Sequence, residues 1–471
     1  MRIPLALITL AASTLMAASP GSAFCGFYVA KADAKLFNRS SKVVVARKDQ
    51  RTVVTMASDY HGDPKEFALI VPVPTVVSRD QIQITENSFI DELDAYTAPR
   101  LVESFDDNPC AYHTAAGSPT SWLVYLTDRV MSNDRLLSPG PSRAETLGIT
   151  IEARYTVGEY DIFILSAKQS DGLSTWLTEE GYRIPAGAAP VLGSYIKQGM
   201  KFFVAKVNLR EQDRLGFRYL RPIQVAYDTN KFMLPIRLGT VNADGPQDMI
   251  VLMLTANGRV ETTNYPTQRI PTDVNLPTFT KEEFGSVYKA LFDTQVKKDG
   301  MKAVYLEYAW NIAWCDPCAA APIPKQRLRE LGAFWLDSST PLPTPAPVLI
   351  PSSPAPMGPP ANIQPAPMRI GGAANAFITR LHVRYDAQNF PDDLMFQETA
   401  DTGTFQGRYV LQHPYKGPVT CQDGAEYQKR LMIRRAREVD SLARLTGWAR
   451  PEIARRMQRV NEPADASLTS P

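Results

Sequence analysis

"YDIFILSAKQSDGLSTWLTEEGYRIPAGAAPVLGSYIKQGMKFFVAKV", residues 160–207, gives the clearest indication of the fold. Apolar strands are predicted at its two ends, residues 160–166 and 201–207. Between them the apolar positions recur at helical spacing, and Gly181 and Gly199 end two short helices. The order strand, helix, helix, strand predicts a sheet that is covered by helices on one face.

Strand patterns continue on both sides of this segment. "KVVVA" and "TVVTM", residues 42–46 and 52–56, are β-branched runs that flank the turn-forming "RKDQR". "DMIVLMLT" and "RVETT" flank Asn257 and Gly258, a residue pair typical of the two-residue turn of a hairpin. We therefore predict an α+β fold, mainly antiparallel sheet with a few covering helices.

The chain of 471 residues is longer than one ordinary domain. Its start has a positive residue, a short apolar core and small residues before a cut after Ala23, which is typical of a signal peptide. The predicted organisation is a signal peptide at 1–23, a main β-rich α+β domain at 24–338 that could divide near 270–280, a proline-rich linker at 339–372, a smaller β-plus-basic-helix region at 373–462 and a disordered tail at 463–471.

The signal peptide predicts an exported protein that is periplasmic or secreted. No later segment approaches the roughly 20 consecutive apolar residues of a membrane helix, so the protein is not expected to span a membrane once the signal is removed. The formal net charge of +2 identifies no partner, and we expect no binding to nucleic acid.

The sequence "WCDPC" contains the pair Cys315 and Cys318, the spacing found in thiol–disulfide exchange enzymes. Such an enzyme needs its first cysteine at a helix N-terminus, where the pKa of the thiol is lowered. Pro322 and Pro324 favour a helix that begins only at Pro324, which leaves both cysteines in a loop. A structural disulfide is therefore the favoured interpretation, and a redox pair is the alternative.

The remaining cysteines are Cys25, Cys110 and Cys421. In an oxidising compartment cysteines tend to pair, and an odd total leaves one without an intramolecular partner. We expect Cys25 to anchor the N-terminus of the mature protein through a disulfide with Cys110. Cys421 would then be the odd thiol.

Motifs for hydrolase or nucleotide chemistry are absent from the sequence, and the four histidines are not at metal-ligand spacing. The short acidic turn Asp106–Asn108 is predicted to be a solvated loop, because a calcium ion needs six to eight oxygen ligands. Structural zinc needs four ligands, and only one Cys pair is present at zinc-ligand spacing. The sequence therefore predicts no metal site, no cofactor and no assigned catalytic residue.

A helix predicted from Ala425 to about Leu445 is basic. Between Lys429 and Arg459 the sequence has ten Lys or Arg against three Asp or Glu. The simpler interpretation is an amphipathic helix that buries its leucines and keeps its arginines in water. The alternative is electrostatic binding to an anionic surface, such as a membrane or a polyanion. The arginines that would form this surface are Arg430, Arg434, Arg435, Arg437 and Arg444.

Five phrases, spread over nearly all of the chain outside the linker and tail, resemble an uncharacterised family of secreted bacterial proteins, domain of unknown function 2330 (DUF2330). They are "AFCGFYVA", "GDPKEFALIVPVP", "YDIFILSAKQSDGLSTWL", "EYAWNIAWCDPC" and "DDLMFQETADTGTFQGRYVLQHP". The resemblance implies export, but it implies no activity, cofactor or catalytic residue.

The sequence as a whole favours an exported, non-enzymatic protein that binds or scaffolds partners in the bacterial envelope. The partner would be an envelope protein or an anionic surface. The alternative is a periplasmic thiol–disulfide oxidoreductase that uses Cys315 and Cys318.

Overall fold

The computed structural model of the chain describes residues 21–22, 27–31, 37–38, 41–57, 60–61, 67–111, 147–185, 187–216, 220–241, 243, 245–314, 322–337 and 374–461. The α-helices are α1 (Asn87–Thr97), α2 (Ser170–Glu179), α3 (Ala188–Lys197), α4 (Leu209–Leu215), α5 (Arg237–Val241), α6 (Phe284–Lys298), α7 (Lys325–Glu330), α8 (Gln422–Thr446) and α9 (Arg450–Asn461). Short 3₁₀ helices lie at Arg79–Gln81, Thr278–Lys281 and Phe334–Asp337.

The strands are β1 (Gly21–Ser22), β2 (Phe27–Lys31), β3 (Phe37–Asn38), β4 (Ser41–Lys48), β5 (Arg51–Met56), β6 (Tyr60–His61), β7 (Phe67–Val73), β8 (Ile82–Ile84), β9 (Arg100–Phe105), β10 (Ile149–Val157), β11 (Tyr160–Ala167), β12 (Tyr182–Arg183), β13 (Lys201–Val207), β14 (Ile223–Asp228), β15 (Met233–Leu234), β16 (Gln247–Thr255), β17 (Val260–Thr262), β18 (Thr267–Arg269), β19 (Val274–Leu276), β20 (Val304–Asn311), β21 (Phe377–Tyr385), β22 (Leu394–Glu398), β23 (Phe405–Gln406) and β24 (Arg408–His413).

Two large sheets form the centre of the described structure. The larger has ten strands in the order β18-β20-β21-β16-β4-β5-β14-β8, with β1 added at β16 and β23 at β20. The smaller has six antiparallel strands in the order β10-β11-β13-β7-β2-β12. Most pairs in the larger sheet are antiparallel as well, which confirms the predicted α+β fold with mainly antiparallel sheet.

Alternation along β4 shows how the sheets pack. Val43 and Val45 belong to a core that also contains the six-stranded sheet, whereas Val44 and Ala46 belong to a core formed with α1 and α7. Successive side chains of a strand point to opposite faces, so an uninterrupted apolar run marks a strand that is buried on both faces. The ten-stranded sheet therefore lies between a helical layer and the second sheet.

Helices α2 and α3 cover the outer face of the six-stranded sheet. Leu173 and Trp176 of α2 and Leu192 of α3 pack with Phe202 of β13 in a third core. This confirms the covering layer predicted from residues 160–207. The described layers follow the order helix, sheet, sheet, helix.

The hairpin predicted around Asn257 and Gly258 is wrong. Strands β16 and β17 flank this pair, but β16 pairs with β1, β4 and β21, and β17 pairs with β22. The amides of Asn257 and Gly258 donate to Oε1 of Glu398, at 2.7 and 3.4 Å, and Val260 N donates to Thr379 Oγ1 at 3.0 Å. Contacts with strands distant in sequence therefore override the local turn preference.

Strand β21 follows the predicted proline-rich linker in sequence, yet it lies between β16 and β20 in the ten-stranded sheet. It pairs with β16 over nine residues, from Gln247↔Tyr385 to Thr255↔Phe377. Strands from the predicted main domain and from the predicted C-terminal region thus hydrogen-bond within one sheet.

A small parallel sheet positions the surface described next. Its order is β19-β24-β9, and β9 is an edge strand whose register with β24 runs from Arg100↔Arg408 to Phe105↔His413. Helix α8 packs against β19, α6 and α9. The end of β9 and the first half of α8 are thereby brought side by side.

Candidate functional site

Cys110 forms a disulfide with Cys421, across 311 positions of sequence. The predicted pairing of Cys110 with Cys25 is therefore wrong, and Cys421 is not the odd thiol. The prediction relied on Cys25 lying near a free chain end, whereas the fold places the N-cap residue of α8 beside the segment that follows β9. Cys25 lies outside the described residues.

Cys315 and Cys318 also lie outside the described residues, so both interpretations of their motif stay predictions. Strand β20 leads toward the motif and ends at Asn311. The next described helix, α7, begins at Lys325 with Pro324 as its N-cap. The N-terminus of α7 is therefore nine residues beyond Cys315 in the sequence.

A surface depression lies between α8 and the end of β9, and we call it the α8 groove. One side is formed by residues 104–109 and the other by α8 between Tyr427 and Ser441. Asn275 of β19 and Gln412 of β24 complete its lining. Its volume is about 830 Å³.

Helix α8 lies against the protein through one buried face. Its buried side chains include Tyr427, Leu431, Glu438 and Leu442, which follow one another at intervals of four or seven residues and therefore share that face. The helix ends at Thr446, and its C-cap Gly447 donates its amide to Ala443 O and turns the chain away with a positive φ of 72°. The amphipathic helix predicted over 425–445 is therefore present, one turn longer than expected.

Asp106 is the main anchor of α8. Arg434 donates two hydrogen bonds to its carboxylate, at 2.9 and 2.6 Å, and Tyr427 OH and Gln412 Nε2 donate at 2.7 and 2.6 Å. Partial burial opposes ionisation of the carboxyl, but these donors hold the pKa of Asp106 at about 2. Asp106 is thus a charged, fully bonded group at the base of the groove.

The sequence prediction of a solvated loop at Asp106–Asn108 is wrong for Asp106, whose side chain is 11% exposed. Asp106 and Arg434 are 328 positions apart, and no spacing rule joins them. The one local signal for this ion pair is in α8. Arg434 falls on the same helix face as the buried Tyr427, Leu431 and Glu438. An arginine on the buried face of a helix requires a buried acidic partner.

Glu438 has the opposite character. Its carboxyl is buried, and Oε1 lies 3.6 Å from Arg434 Nε, beyond hydrogen-bond distance. Burial raises the pKa of Glu438 to about 7, and neighbouring Asp106 acts in the same direction, although Arg434 and Arg435 oppose the shift. One wall of the α8 groove therefore changes charge near neutral pH.

We expect the stability of the wild-type protein to fall, relative to Glu438→Gln, as the pH rises from about 4.5 to about 7. In this interval the folded protein keeps the Glu438 proton, whereas the unfolded chain has released it, so deprotonation favours unfolding. Urea unfolding of both proteins at about pH 5 and about pH 8 measures the difference. If the two proteins differ in free energy of unfolding by the same amount at both pH values, the raised pKa of Glu438 is contradicted.

Three of the five arginines predicted to face an anionic partner line the α8 groove: Arg430, Arg434 and Arg437. Arg434 is neutralised by Asp106, whereas Arg430 has an exposed 3.6 Å contact with Glu426. Arg437 has no ion pair within the described part of the chain. Arg435 and Arg444 do not line the groove. The groove therefore presents two guanidinium groups that are available to a ligand.

The α8 groove also has exposed apolar side chains at its edges. Phe105 is 68% exposed and Ile433 is 54% exposed, and both line the groove. Met432, beside Ile433, is 63% exposed. Val76 is the other large apolar side chain found so exposed among the described residues. Clustered exposed apolar groups within a polar rim mark an interaction site more often than scattered ones do.

A second cluster of charged groups is buried beneath α1 and α6. Glu307, 0% exposed, accepts hydrogen bonds from Arg380 Nε at 2.6 Å and from Tyr288 OH, and its other contact is His382 Nδ1 at 2.7 Å. Arg380 also binds Asp94. Burial opposes ionisation, but His382 and Arg380 hold the pKa of Glu307 at about 2. Each charge is paired within the protein, so the cluster acts as a structural support.

A bulge in β20 creates this arrangement. The register of β20 against β21 shifts between Leu306 and Tyr308, which leaves Glu307 as the extra residue. A bulge redirects the side chain that it carries, and here the carboxylate meets two polar residues of β21. Gly407 N donates to the carbonyl of Glu307 at 2.7 Å, which satisfies the backbone group at the bulge.

Within the described ranges, no group of three or more His, Cys, Asp or Glu side chains is arranged to hold a metal ion. Among the described helices, none has both the length and the apolar character needed to cross a membrane.

A family model described as an uncharacterized protein conserved in bacteria (DUF2330) matches residues 19–397. No curated protein and no solved structure matches the chain. The matched range includes residues 104–109 and Asn275 of the α8 groove and ends before α8 begins.

Proposed function

The chain belongs to this bacterial family of uncharacterized proteins, and from the α8 groove we propose that it is an exported, non-enzymatic binding protein of the bacterial envelope that holds an anionic ligand. The family itself assigns no activity.

The observation that carries this proposal is the pair Arg430 and Arg437 on one wall of an open groove. Arg434 lies between them on the helix and is occupied by Asp106, so the helix is anchored without using the outer two arginines. Guanidinium groups bind carboxylates and phosphates through paired hydrogen bonds. Two such groups in a groove favour binding of an anion.

The proposal of an exported protein is supported by two features. Residues 1–23 have the pattern of a signal peptide. The Cys110–Cys421 disulfide is of a kind that persists in oxidising compartments and is rare in the cytosol. The protein would thus act in the periplasm or outside the cell.

Replacing Arg430 and Arg437 together by glutamine should weaken the binding of a polyanion, such as dextran sulfate, by about tenfold or more at low ionic strength. Each charge-assisted hydrogen bond contributes about 1.5 kcal/mol or more, and about 1.4 kcal/mol corresponds to a factor of ten in affinity. Isothermal titration calorimetry of the oxidised protein, without its first 23 residues, measures the effect.

The matched control is the double variant Arg455→Gln and Arg459→Gln, which removes the same charge from exposed positions of α9. We expect this control to lose less than about threefold in affinity, because Arg455 and Arg459 lie outside the α8 groove and donate no hydrogen bond to an anion held there. Equal losses in both double variants would show that net charge, and not the α8 groove, determines binding. Absence of binding to every anionic probe, polyanion or acidic peptide, would reject the proposed function.

A further inference from the structure

We propose that the ligand of the α8 groove is an extended acidic peptide segment that carries an apolar side chain between two acidic ones. This inference rests on the proposed function, and it names the chemical class of the anion.

The length of the α8 groove favours a chain-like ligand. The lining residues of α8 extend from Tyr427 to Ser441, 14 residues further along the helix. At about 1.5 Å per residue the wall is roughly 21 Å long. An extended peptide advances about 3.3 Å per residue, so roughly six residues fit along this wall. A free phosphate or a single carboxylate would occupy only a small part of it.

The positions of Arg430 and Arg437 favour two separate negative charges. Arg430 and Arg437 are seven residues apart, which places them about 10 Å from each other along the helix. Arg434, the arginine between them, already binds Asp106 through both of its terminal nitrogens. The two exposed guanidinium groups therefore do not converge on one anion. Acidic side chains four residues apart in an extended peptide point to the same side and lie about 13 Å apart, and the flexible glutamate and arginine side chains span the difference.

The apolar groups at the groove edges suit the side chain between those acids. Phe105 stacks on His413 with ring centroids 4.5 Å apart, which fixes its ring although it is 68% exposed. Ile433 lies on the facing wall, between Arg430 and Arg437 in sequence. A leucine-sized side chain placed between Phe105 and Ile433 would remove both from water.

Neutral polar side chains in the α8 groove suit a peptide backbone. Ser104 and Asn275 line the groove and have no side-chain hydrogen bond within the described ranges. Serine and asparagine can both donate and accept, as a peptide amide requires. Because this lining lies inside a recess, a flat bilayer would reach the groove edges and leave Ser104 and Asn275 without partners.

Fluorescence anisotropy of a labelled octapeptide tests the inference on the oxidised protein. The peptide has two glutamates four residues apart with one leucine midway between them, so that all three side chains point to the same side. We expect saturable binding that weakens about tenfold or more when both glutamates become glutamine. Replacing its leucine by serine should weaken binding about tenfold, since burial of a leucine contributes about 1.5–3 kcal/mol.

The double variant Arg430→Gln with Arg437→Gln should weaken peptide binding about tenfold or more. The double variant Phe105→Ser with Ile433→Ser should weaken it about tenfold. Arg455→Gln with Arg459→Gln should retain it. Unchanged melting temperatures would show that these surface substitutions leave the fold intact. Peptide binding that is insensitive to both groove variants would overturn the inference.

Dextran sulfate and vesicles of phosphatidylglycerol are the competing probes. If either binds through Arg430 and Arg437 while the peptide does not, the peptide inference fails and the proposed anion-binding function stands. If none of the three probes binds, both fail.

Discussion

Replacing Glu307 by glutamine should lower the free energy of unfolding by about 3 kcal/mol at neutral pH. The carboxylate is fully buried and binds Arg380 at 2.6 Å, and Arg380 is itself only 6% exposed. Glutamine preserves the shape of the side chain but removes its negative charge. The Arg380 guanidinium then keeps Asp94 as its one remaining carboxylate partner. Denaturant unfolding followed by tryptophan fluorescence measures the loss.

The pKa of Glu307 leads to the same magnitude independently. Its displacement from 4.5 to about 2 corresponds to about 3 kcal/mol of preference for the ionised form in the folded protein. This stabilisation is complete above about pH 5 and is lost as the pH falls toward 2, because the folded-state pKa is the lower one. The difference between wild type and Glu307→Gln should therefore shrink over that interval.

Glu211→Gln is the control for this experiment. Glu211 pairs with Arg214 on the surface, where the arginine side chain is 67% exposed. Exposed pairs contribute less than about 1 kcal/mol, so this variant should unfold almost as the wild type does. A loss of similar size in both variants, or a Glu307→Gln loss that stays constant from neutral pH to pH 3, would show that the buried network does not stabilise the fold.

Replacing both Cys110 and Cys421 by alanine should lower the free energy of unfolding by about 3–5 kcal/mol. The disulfide joins positions 311 residues apart, and a crosslink over so long a loop restricts the unfolded chain strongly. It also joins the N-cap residue of α8 to the segment after β9. Equilibrium unfolding of the oxidised wild type and of the double variant measures the loss.

The single variants Cys110→Ala and Cys421→Ala provide the internal control. Each breaks the same covalent bond, so each should lose about as much stability as the double variant. Losses that add up across the two sites would mean that the alanines act through local packing instead, and a double variant as stable as the wild type would contradict the assigned pairing.

The layered fold could be predicted to a large extent because its signals are local. The apolar run of β4 and the helical spacing in residues 160–207 each follow from side chains a few positions apart. The turn at Asn257 and Gly258 has an equally local signal and still failed as a hairpin. Strand partners are chosen among all strands of the fold, and β16 is already flanked by β4 and β21.

The α8 groove could not be predicted as a site, because its walls are joined only by tertiary structure. Composition identified Arg430, Arg434 and Arg437 as a group, but it could not distinguish the arginine bound to Asp106 from the two that remain available. The pairing of Cys110 with Cys421 likewise depends on tertiary structure. Spacing alone does not determine which cysteines meet.

Strand β21, residues 377–385, is synthesised late, because most of the chain precedes it. Until then its two neighbours in the sheet, β16 and β20, have unpaired backbone groups along the edges that β21 will occupy. Filling a central gap from a distant part of the sequence is slow, because the intervening chain must first be closed into a loop. The ten-stranded sheet therefore stays divided until β21 joins β16 to β20, and its closure depends on a segment that lies more than 100 residues beyond β16 in the sequence.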